Sequence, residues 1–173
     1  MRTFIALNLP PEVKAALSSA QDAMRAAGGR GNFTRPENLH LTLTFLGEVE
    51  RPRLGTVRAV LDSLEYEGFD LSLDRLGKFS RSGGDIYWAG IAPSPALSAL
   101  QRELSQKLKE SGFTLEDQKF TPHVTLAREL RLSSDFSYAL PPLRFFVGRL
   151  SLMKSERLDG KLVYTEVYGR QLT

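Results

Sequence analysis

The sequence contains no cysteine among its 173 residues. Disulfide bonds, thiolate zinc sites and cysteine nucleophiles are therefore excluded. A chain without cysteine suits the reducing cytoplasm, where we expect this protein to work. The chain also has no apolar run near the roughly 20 residues that a membrane-spanning helix needs. Its opening residues, "MRTFIALNLPPEV", do not show the pattern of a secretory signal.

Several common catalytic motifs are absent as well. No G-x-S-x-G sequence marks a serine nucleophile on a strand-to-helix turn. The stretch "LGKFS" around Lys78 lacks the upstream glycine of a phosphate-binding P-loop, so binding of a nucleoside triphosphate has no motif here. No linker rich in proline, glycine or serine divides the chain, which predicts a single domain over residues 1–173.

Charge and composition set weaker limits on function. The formal net charge is +3 and the isoelectric point is about 9.3. This mildly basic balance permits an anionic partner such as RNA without requiring one. The hydrophobic fraction of 42% and the charged fraction of 25% are ordinary for a globular protein.

Periodic hydrophobicity predicts seven strands and three helices. The helices are predicted from apolar residues at helical spacing, from proline near their starts and from glycine near their ends. The predicted strands are 2–9, 39–47, 69–80, 86–92, 120–130, 143–156 and 161–170, and the predicted helices are 10–29, 51–64 and 94–112. The last two strands form a predicted hairpin around "RLDG".

An internal repeat appears when the chain is compared with itself. A shift of 83 residues lays His40 on His123 and Thr42 on Thr125. The same shift lays "FIALNLPPEVKAAL" on "YWAGIAPSPALSAL". A strand, a proline, a helix and a strand with His-x-Thr therefore occur twice. This predicts an α+β fold of two intertwined lobes related by a pseudo-twofold axis, each carrying one motif, His40–Leu43 and His123–Leu126.

The two histidines are the only ones in the chain, and both motifs lie in predicted strands. Because side chains alternate between the faces of a strand, each histidine should share a face with the threonine two residues later. The same alternation predicts that Thr44 lies on the face of His40 and Ala127 on the face of His123. The opposite faces should carry apolar side chains: Leu39, Leu41, Leu43 and Phe45 in the first strand, and Val124 and Leu126 in the second.

Two imidazoles on facing walls of a cleft are suited to acid–base chemistry on a phosphate. One ring would take a proton from the attacking oxygen and the other would give one to the leaving oxygen. The ordinary pKa of histidine, about 6.5, suits both roles. The hydroxyls of Thr42 and Thr125 would donate hydrogen bonds to the non-bridging oxygens. This scheme needs no metal, no cofactor and no covalent intermediate.

A metal site is the main chemical alternative, because two histidines and a carboxylate can bind iron or zinc. The nearest acidic residues are Glu37, Glu48 and Glu129, and none has ligand-like spacing from a motif. We therefore expect no metal.

The stretches "HLTLTFLG" and "TPHVTLAR", together with the opening "RTFIALNLP", resemble the two-histidine phosphoesterases. The sequence is most similar to the bacterial and archaeal RNA 2′,3′-cyclic phosphodiesterases, also called 2′-5′ RNA ligases. The resemblance covers the whole chain. It implies antiparallel sheets that line a central cleft, with helices outside. It also implies hydrolysis of RNA 2′,3′-cyclic phosphate ends to 2′-phosphates, and a reversible 2′-5′ ligation without ATP.

The resemblance further assigns roles to residues. It makes His40 the proton donor and His123 the proton acceptor, an assignment that the residues alone do not provide. It also makes Arg128 a substrate-binding residue that contacts phosphate. Strict alternation puts Arg128 on the face opposite His123, so this role requires a bulge or an end of the strand before it.

Other functions remain open from the sequence. The substrate could be a small cyclic nucleotide or another cyclic-phosphate metabolite, or the protein could be a non-catalytic RNA-binding module. The aromatic residues that could stack on a base are Phe45, Tyr87, Trp88 and Phe120, and the sequence does not select one of them. We expect a monomer with no membrane association.

Overall fold

The structure is a computed structural model that describes residues 1–173. Nine strands and three helices follow one another along the chain. The strands are β1 (Arg2–Asn8), β2 (Arg30–Phe33), β3 (His40–Glu48), β4 (Phe69–Phe79), β5 (Asp85–Ile91), β6 (His123–Arg131), β7 (Arg144–Val147), β8 (Arg149–Leu158) and β9 (Lys161–Gln171). The helices are α1 (Pro11–Ala26), α2 (Leu54–Ser63) and α3 (Pro95–Glu110), and short 3₁₀ turns cover Pro36–Asn38 and Arg51–Arg53.

The strands form two sheets in which every pairing is antiparallel. The first sheet has the order β3-β1-β8-β9 and the second has the order β2-β6-β5-β4-β7. One histidine motif begins β3, in the first sheet, and the other begins β6, in the second sheet. These two strands contact each other where the sheets meet. The predicted α+β class with antiparallel sheets is confirmed.

The two long helices cover the sheets with one apolar stripe each. Proline occupies the first turn of both, where its missing N–H costs no hydrogen bond. The Ser94 hydroxyl caps α3 by accepting a hydrogen bond from the Leu97 N–H at 3.2 Å. The buried stripes are Val13, Leu17, Ala20, Gln21 and Met24 in α1 and Leu97, Leu100, Leu104 and Leu108 in α3.

Each long helix contacts the motif strand of the other half of the chain. Helix α1, from the first half, packs on β6, and α3, from the second half, packs on β3. Each half of the chain therefore packs its long helix against the motif strand of the other half. The apolar side chains of both sheets and of all three helices contribute to one large core.

The number of strands differs from the sequence prediction at two places. Strand β2 was not predicted, because "RGNF" has no apolar alternation and is extended only through pairing with β6. The predicted strand 143–156 is two strands that separate at Gly148: β7 pairs with β4 in the second sheet, and β8 pairs with β1 and β9 in the first. The chain therefore crosses between the sheets within one apolar stretch. No helix is both long and apolar enough to cross a membrane.

Candidate active site

The His40 ring is held by a backbone contact at one nitrogen and a side chain at the other. Its Nδ1 atom lies 2.6 Å from the carbonyl oxygen of Asn38. Because a carbonyl can only accept, Nδ1 carries a hydrogen. In the neutral ring, Nε2 therefore has the lone pair, and it lies 2.7 Å from the Thr42 hydroxyl oxygen. The imidazole thus presents Nε2 beside the hydroxyl that the repeat singled out.

The His123 ring makes the same backbone contact at Nδ1. Its Nδ1 atom lies 2.6 Å from the carbonyl oxygen of Thr121, two residues earlier in the chain. Thr121 is related to Asn38 by the same shift of 83 residues. Both rings therefore use Nδ1 as a donor to the backbone, which leaves Nε2 of each for chemistry.

Aromatic side chains surround both rings. The His40 ring centroid is 4.8 Å from that of Phe4 and 5.1 Å from that of Tyr164, which lies perpendicular to it. The His123 ring centroid is 5.5 Å from Phe79, also perpendicular, and 6.1 Å from Trp88. These contacts restrict the tilt of each imidazole. The sequence pointed to Trp88 only as one of four candidate stacking residues.

Phe4, Phe79 and Tyr164 were not identified from the sequence as neighbours of the site. They come from β1, β4 and β9, and no spacing along the chain relates them to the histidines. Of the other candidate stacking residues, Tyr87 packs in the core, whereas Phe45 is 57% exposed and its ring lies 6.1 Å from that of Phe4.

A bulge lies at the last residue of each motif and changes the predicted faces. Thr42 pairs with Ala6 and Thr44 with Ile5, so Leu43 is an extra residue in β3. Thr125 pairs with Trp88 and Ala127 with Tyr87, so Leu126 is an extra residue in β6. These are equivalent positions in the repeat. A bulge shifts the alternation of every side chain that follows it.

Three predictions of orientation were therefore wrong. Thr44 was expected beside His40, but beyond the bulge at Leu43 it pairs with Ile5 on the opposite face of β3. Phe45 was expected to face the core, but it is exposed beyond the bulge at Leu43. Ala127 was expected beside His123, but it is fully buried in the core. Leu39, Leu41, Leu43, Val124 and Leu126 are buried as predicted, whereas His40, Thr42, His123 and Thr125 remain partly exposed.

The bulge also resolves the orientation of Arg128. Because Leu126 and Ala127 both face the core, Arg128 is exposed on the side that carries Thr125. Its positive charge acts on two side chains of the first sheet: it lowers the pKa of His40, and it opposes the rise in the pKa of Tyr164 that burial causes. The geometry therefore places Arg128 with the motif side chains.

Burial and charge act on His40 together. Burial is the largest cause that lowers the pKa of His40 below its ordinary value, because an imidazolium is poorly solvated there. The positive charges of Arg128, Lys14 and His123 lower the pKa further, while the hydrogen bond to Asn38 opposes the shift. Burial raises the pKa of Tyr164, and Arg128 and Arg2 oppose that change. Lys14, which no motif pointed to, is therefore part of the electrostatic surroundings of the site.

Two other features bear on the location and chemistry of the site. A cavity of about 250 Å³ lies between Leu76, Lys78, Tyr87 and the 134–138 loop, on the face of the second sheet opposite Trp88. It contains no motif residue. The candidate site is instead the region between β3 and β6 where His40, Thr42, His123 and Thr125 lie, which we call the cleft. No group of three or more His, Asp or Glu side chains is arranged to hold a metal ion.

Comparison with known proteins places this arrangement in a family. The model of the 2′-5′ RNA ligase superfamily matches residues 9–159. The chain is 29% identical to the RNA 2′,3′-cyclic phosphodiesterase of Thermotoga maritima, over 99% of this chain and 95% of that protein. It is 33% identical to the protein of the same name from Thermus thermophilus, over 95% of this chain and 87% of that one.

A solved structure agrees with both matches. The crystal structure of Escherichia coli LigT without ligand superimposes with a TM-score of 0.86 and 29% identity, covering 99% of this chain and 97% of LigT. The resemblance noted in the sequence is thereby confirmed over nearly the full length. The chain belongs to the 2′-5′ RNA ligase superfamily.

Proposed function

We propose that this protein is a phosphodiesterase that hydrolyses 2′,3′-cyclic phosphate ends of RNA to 2′-phosphates. The observation that carries the proposal is the matched pair of imidazoles: Nδ1 of His40 and of His123 each lies 2.6 Å from a backbone carbonyl, so that Nε2 of each is left for the substrate. Full-length similarity to proteins named RNA 2′,3′-cyclic phosphodiesterase supports the substrate class.

In the proposed reaction, Nε2 of His123 accepts a proton from a water molecule, and the water oxygen attacks phosphorus. The bond between phosphorus and the 3′ oxygen breaks, and Nε2–H of His40 gives its proton to that oxygen. The product carries a 2′-phosphate and a 3′-hydroxyl. If a 5′-hydroxyl of RNA replaces the water, the same transfers form a 2′-5′ linkage. The two rings end with exchanged protonation states, which solvent restores.

The electrostatics of His40 bear on its role as the proton donor. A lowered pKa reduces the protonated fraction of the free protein near neutrality, but it makes the protonated ring a stronger acid. An anionic phosphate in the cleft would offset the positive charges that lower this pKa. The donor role of His40 therefore depends on the bound substrate.

The threonines and Arg128 would hold the phosphate. In the absence of substrate, the Thr42 hydroxyl is 2.7 Å from Nε2 of His40, so the substrate must replace this contact. Thr42 and Thr125 then donate to non-bridging oxygens, and the Arg128 guanidinium pairs with their charge. The scheme uses no metal and no cofactor. We further propose that the protein acts as a monomer in the cytoplasm, in keeping with its lack of cysteine.

Product analysis tests this proposal. The protein is incubated with a short RNA ending in a 2′,3′-cyclic phosphate and, separately, with 2′,3′-cyclic mononucleotides. We expect a 2′-phosphate product and a higher kcat/KM for the RNA. Faster turnover of the mononucleotide would favour a small cyclic nucleotide as the substrate. Tight RNA binding without turnover would overturn the enzymatic proposal in favour of a binding module.

A further inference from the structure

Gln21 is a buried polar residue on the inner face of α1, with a side chain that is 1% exposed. Its amide nitrogen donates to the carbonyl oxygen of Leu126 at 2.9 Å and to that of Thr34 at 2.8 Å. The Leu126 oxygen also accepts the Thr34 N–H at 2.9 Å. The Leu126 carbonyl is buried, and there an unpaired oxygen would be costly, whereas the Thr34 carbonyl is only half-buried. The amide of Gln21 therefore joins β6 to the segment that follows β2.

Gln21 contacts the carbonyl of Leu126, the residue at which the alternation of side chains along β6 changes. Leu126 is the extra residue of the bulge in the pairing of β6 with β5. Its oxygen faces β2 instead, where it accepts from both the Thr34 N–H and the Gln21 amide. Without the extra residue, Ala127 would lie beside Thr125 and Arg128 would turn toward the core. The bulge is thus what brings the guanidinium to the face of His123.

We propose that Gln21 is a positioning residue that stabilises the bulge at Leu126 and thereby keeps Arg128 in the cleft with His123 and Thr125. The contribution of Arg128 to catalysis rests on the proposed function. Its placement by Gln21 does not, because it follows from the hydrogen bonds and the strand register alone.

The first half of the repeat contains a similar contact, which provides a matched control. Leu43 is the counterpart of Leu126, and its carbonyl oxygen accepts from the Gln101 amide at 3.3 Å. Gln101 also donates to the Ser105 hydroxyl at 3.0 Å. It lies on α3, so each long helix provides a glutamine to the bulge of the other half. A Gln101→Met variant removes a glutamine amide from the bulge at Leu43 and leaves the bulge at Leu126, which precedes Arg128, unchanged.

The pKa of His40 reports the position of Arg128 without requiring activity. The groups whose charges act on His40 are Arg128, Lys14 and His123, and Tyr164 packs on its ring. Because the chain has only two histidines, NMR titration of the imidazole protons gives two resolvable curves, and a His123→Gln variant assigns them. The variants are Gln21→Met, Arg128→Met, their combination, and Gln101→Met with and without Arg128→Met.

We expect Arg128→Met to raise the pKa of His40, since a positive charge that disfavours the imidazolium is lost. Gln21→Met should raise it too, and should add nothing when Arg128 is already Met. Any effect of Gln101→Met should be the same in both backgrounds. The proposal is overturned if folded Gln21→Met leaves the His40 titration at the wild-type position while Arg128→Met moves it. It is also overturned if the Gln21→Met shift persists in full without Arg128.

If Gln21→Met does not fold, Gln21→Asn provides the same test, because its amide is one methylene too short to reach both carbonyls. A second readout is kcat/KM on a cyclic-phosphate dinucleotide. Loss of one hydrogen bond to a charged group corresponds to roughly 10- to 100-fold, and the losses from Gln21→Met and Arg128→Met should not multiply. If the titration results hold but no variant changes turnover, Gln21 positions Arg128 as proposed and the role of Arg128 in the proposed function fails instead.

Discussion

The Nδ1 atom of His40 and the carbonyl oxygen of Asn38 lie 2.6 Å apart, and this one contact determines which nitrogen of the ring faces the cleft. The Asn38 side chain is buried, and its amide donates to the carbonyl oxygen of Leu162 at 2.9 Å. Arg35 donates to the same oxygen. Asn38 therefore connects the orientation of His40 to β9, which carries Tyr164 against the imidazole.

Removing this connection should loosen β9 beside the site. Asn38→Leu keeps the size of the side chain but leaves Arg35 as the remaining donor to Leu162. We expect a loss of about 1 kcal/mol in the free energy of unfolding and faster amide exchange at 162–164, measured by hydrogen–deuterium exchange. The exposed Asn32→Leu variant is the control and should change neither. Unchanged exchange in Asn38→Leu would show that Arg35 alone holds the hairpin.

Replacing either histidine should remove most turnover. His40→Ala and His123→Ala are each expected to lower kcat by a factor on the order of 10²–10⁴, since each removes one proton-transfer group. Because the two rings act as a unit, the double variant should be little slower than the slower single variant. Circular dichroism confirms that the variants fold. Near-normal rates in either single variant would contradict two-histidine catalysis.

Loss of the hydroxyl should lower activity at the motif threonines, Thr42 and Thr125, but not at Thr44. Val keeps the β-branched shape and removes the hydroxyl, so Thr42→Val and Thr125→Val should each lower kcat/KM by a factor on the order of 10²–10³ if the lost donor stabilises the transition state. Thr44→Val, on the same strand as Thr42, is the matched control and should be nearly silent. Equal effects at all three positions would indicate a general disturbance of the strands.

Stability should depend on pH through His40. Its pKa is lowered in the folded protein, chiefly by burial, so between about 6.5 and the lower folded value the unfolded chain binds more protons. Stability therefore rises with pH through that window, and it falls on acidification. Urea unfolding at pH 7.5 and at pH 5.5 should show a smaller loss on acidification for His40→Gln than for the wild type. An equal loss would contradict the burial effect.

Chelation should not affect activity. The proposed scheme moves protons between two imidazoles and places positive charge through Arg128, so it needs no Lewis acid. Turnover after exhaustive dialysis against a chelator is the measurement, with added divalent ions as the comparison. Loss of turnover that one divalent ion restores would favour a metal-assisted reaction.

The sequence determined the pairing of the motifs. Two histidines, each followed by Thr at the same spacing and related by one shift of 83 residues, predicted equivalent strands and a shared chemistry. Strong apolar periodicity determined the helices and most of the strands, because those patterns reflect burial that each element achieves locally. Strand β2, with its polar "RGNF", could not be predicted, since it is extended only through its partner β6.

Only the tertiary structure decided which side chains meet at the site. A bulge is a property of two paired strands, so no pattern within β3 or β6 reveals that Leu43 or Leu126 is an extra residue. The exposure of Phe45 and the reversal of Arg128 follow from those bulges. Tyr164 reaches His40 from a strand more than 120 residues away in sequence because the chain crosses between sheets at Gly148 and returns along the first one.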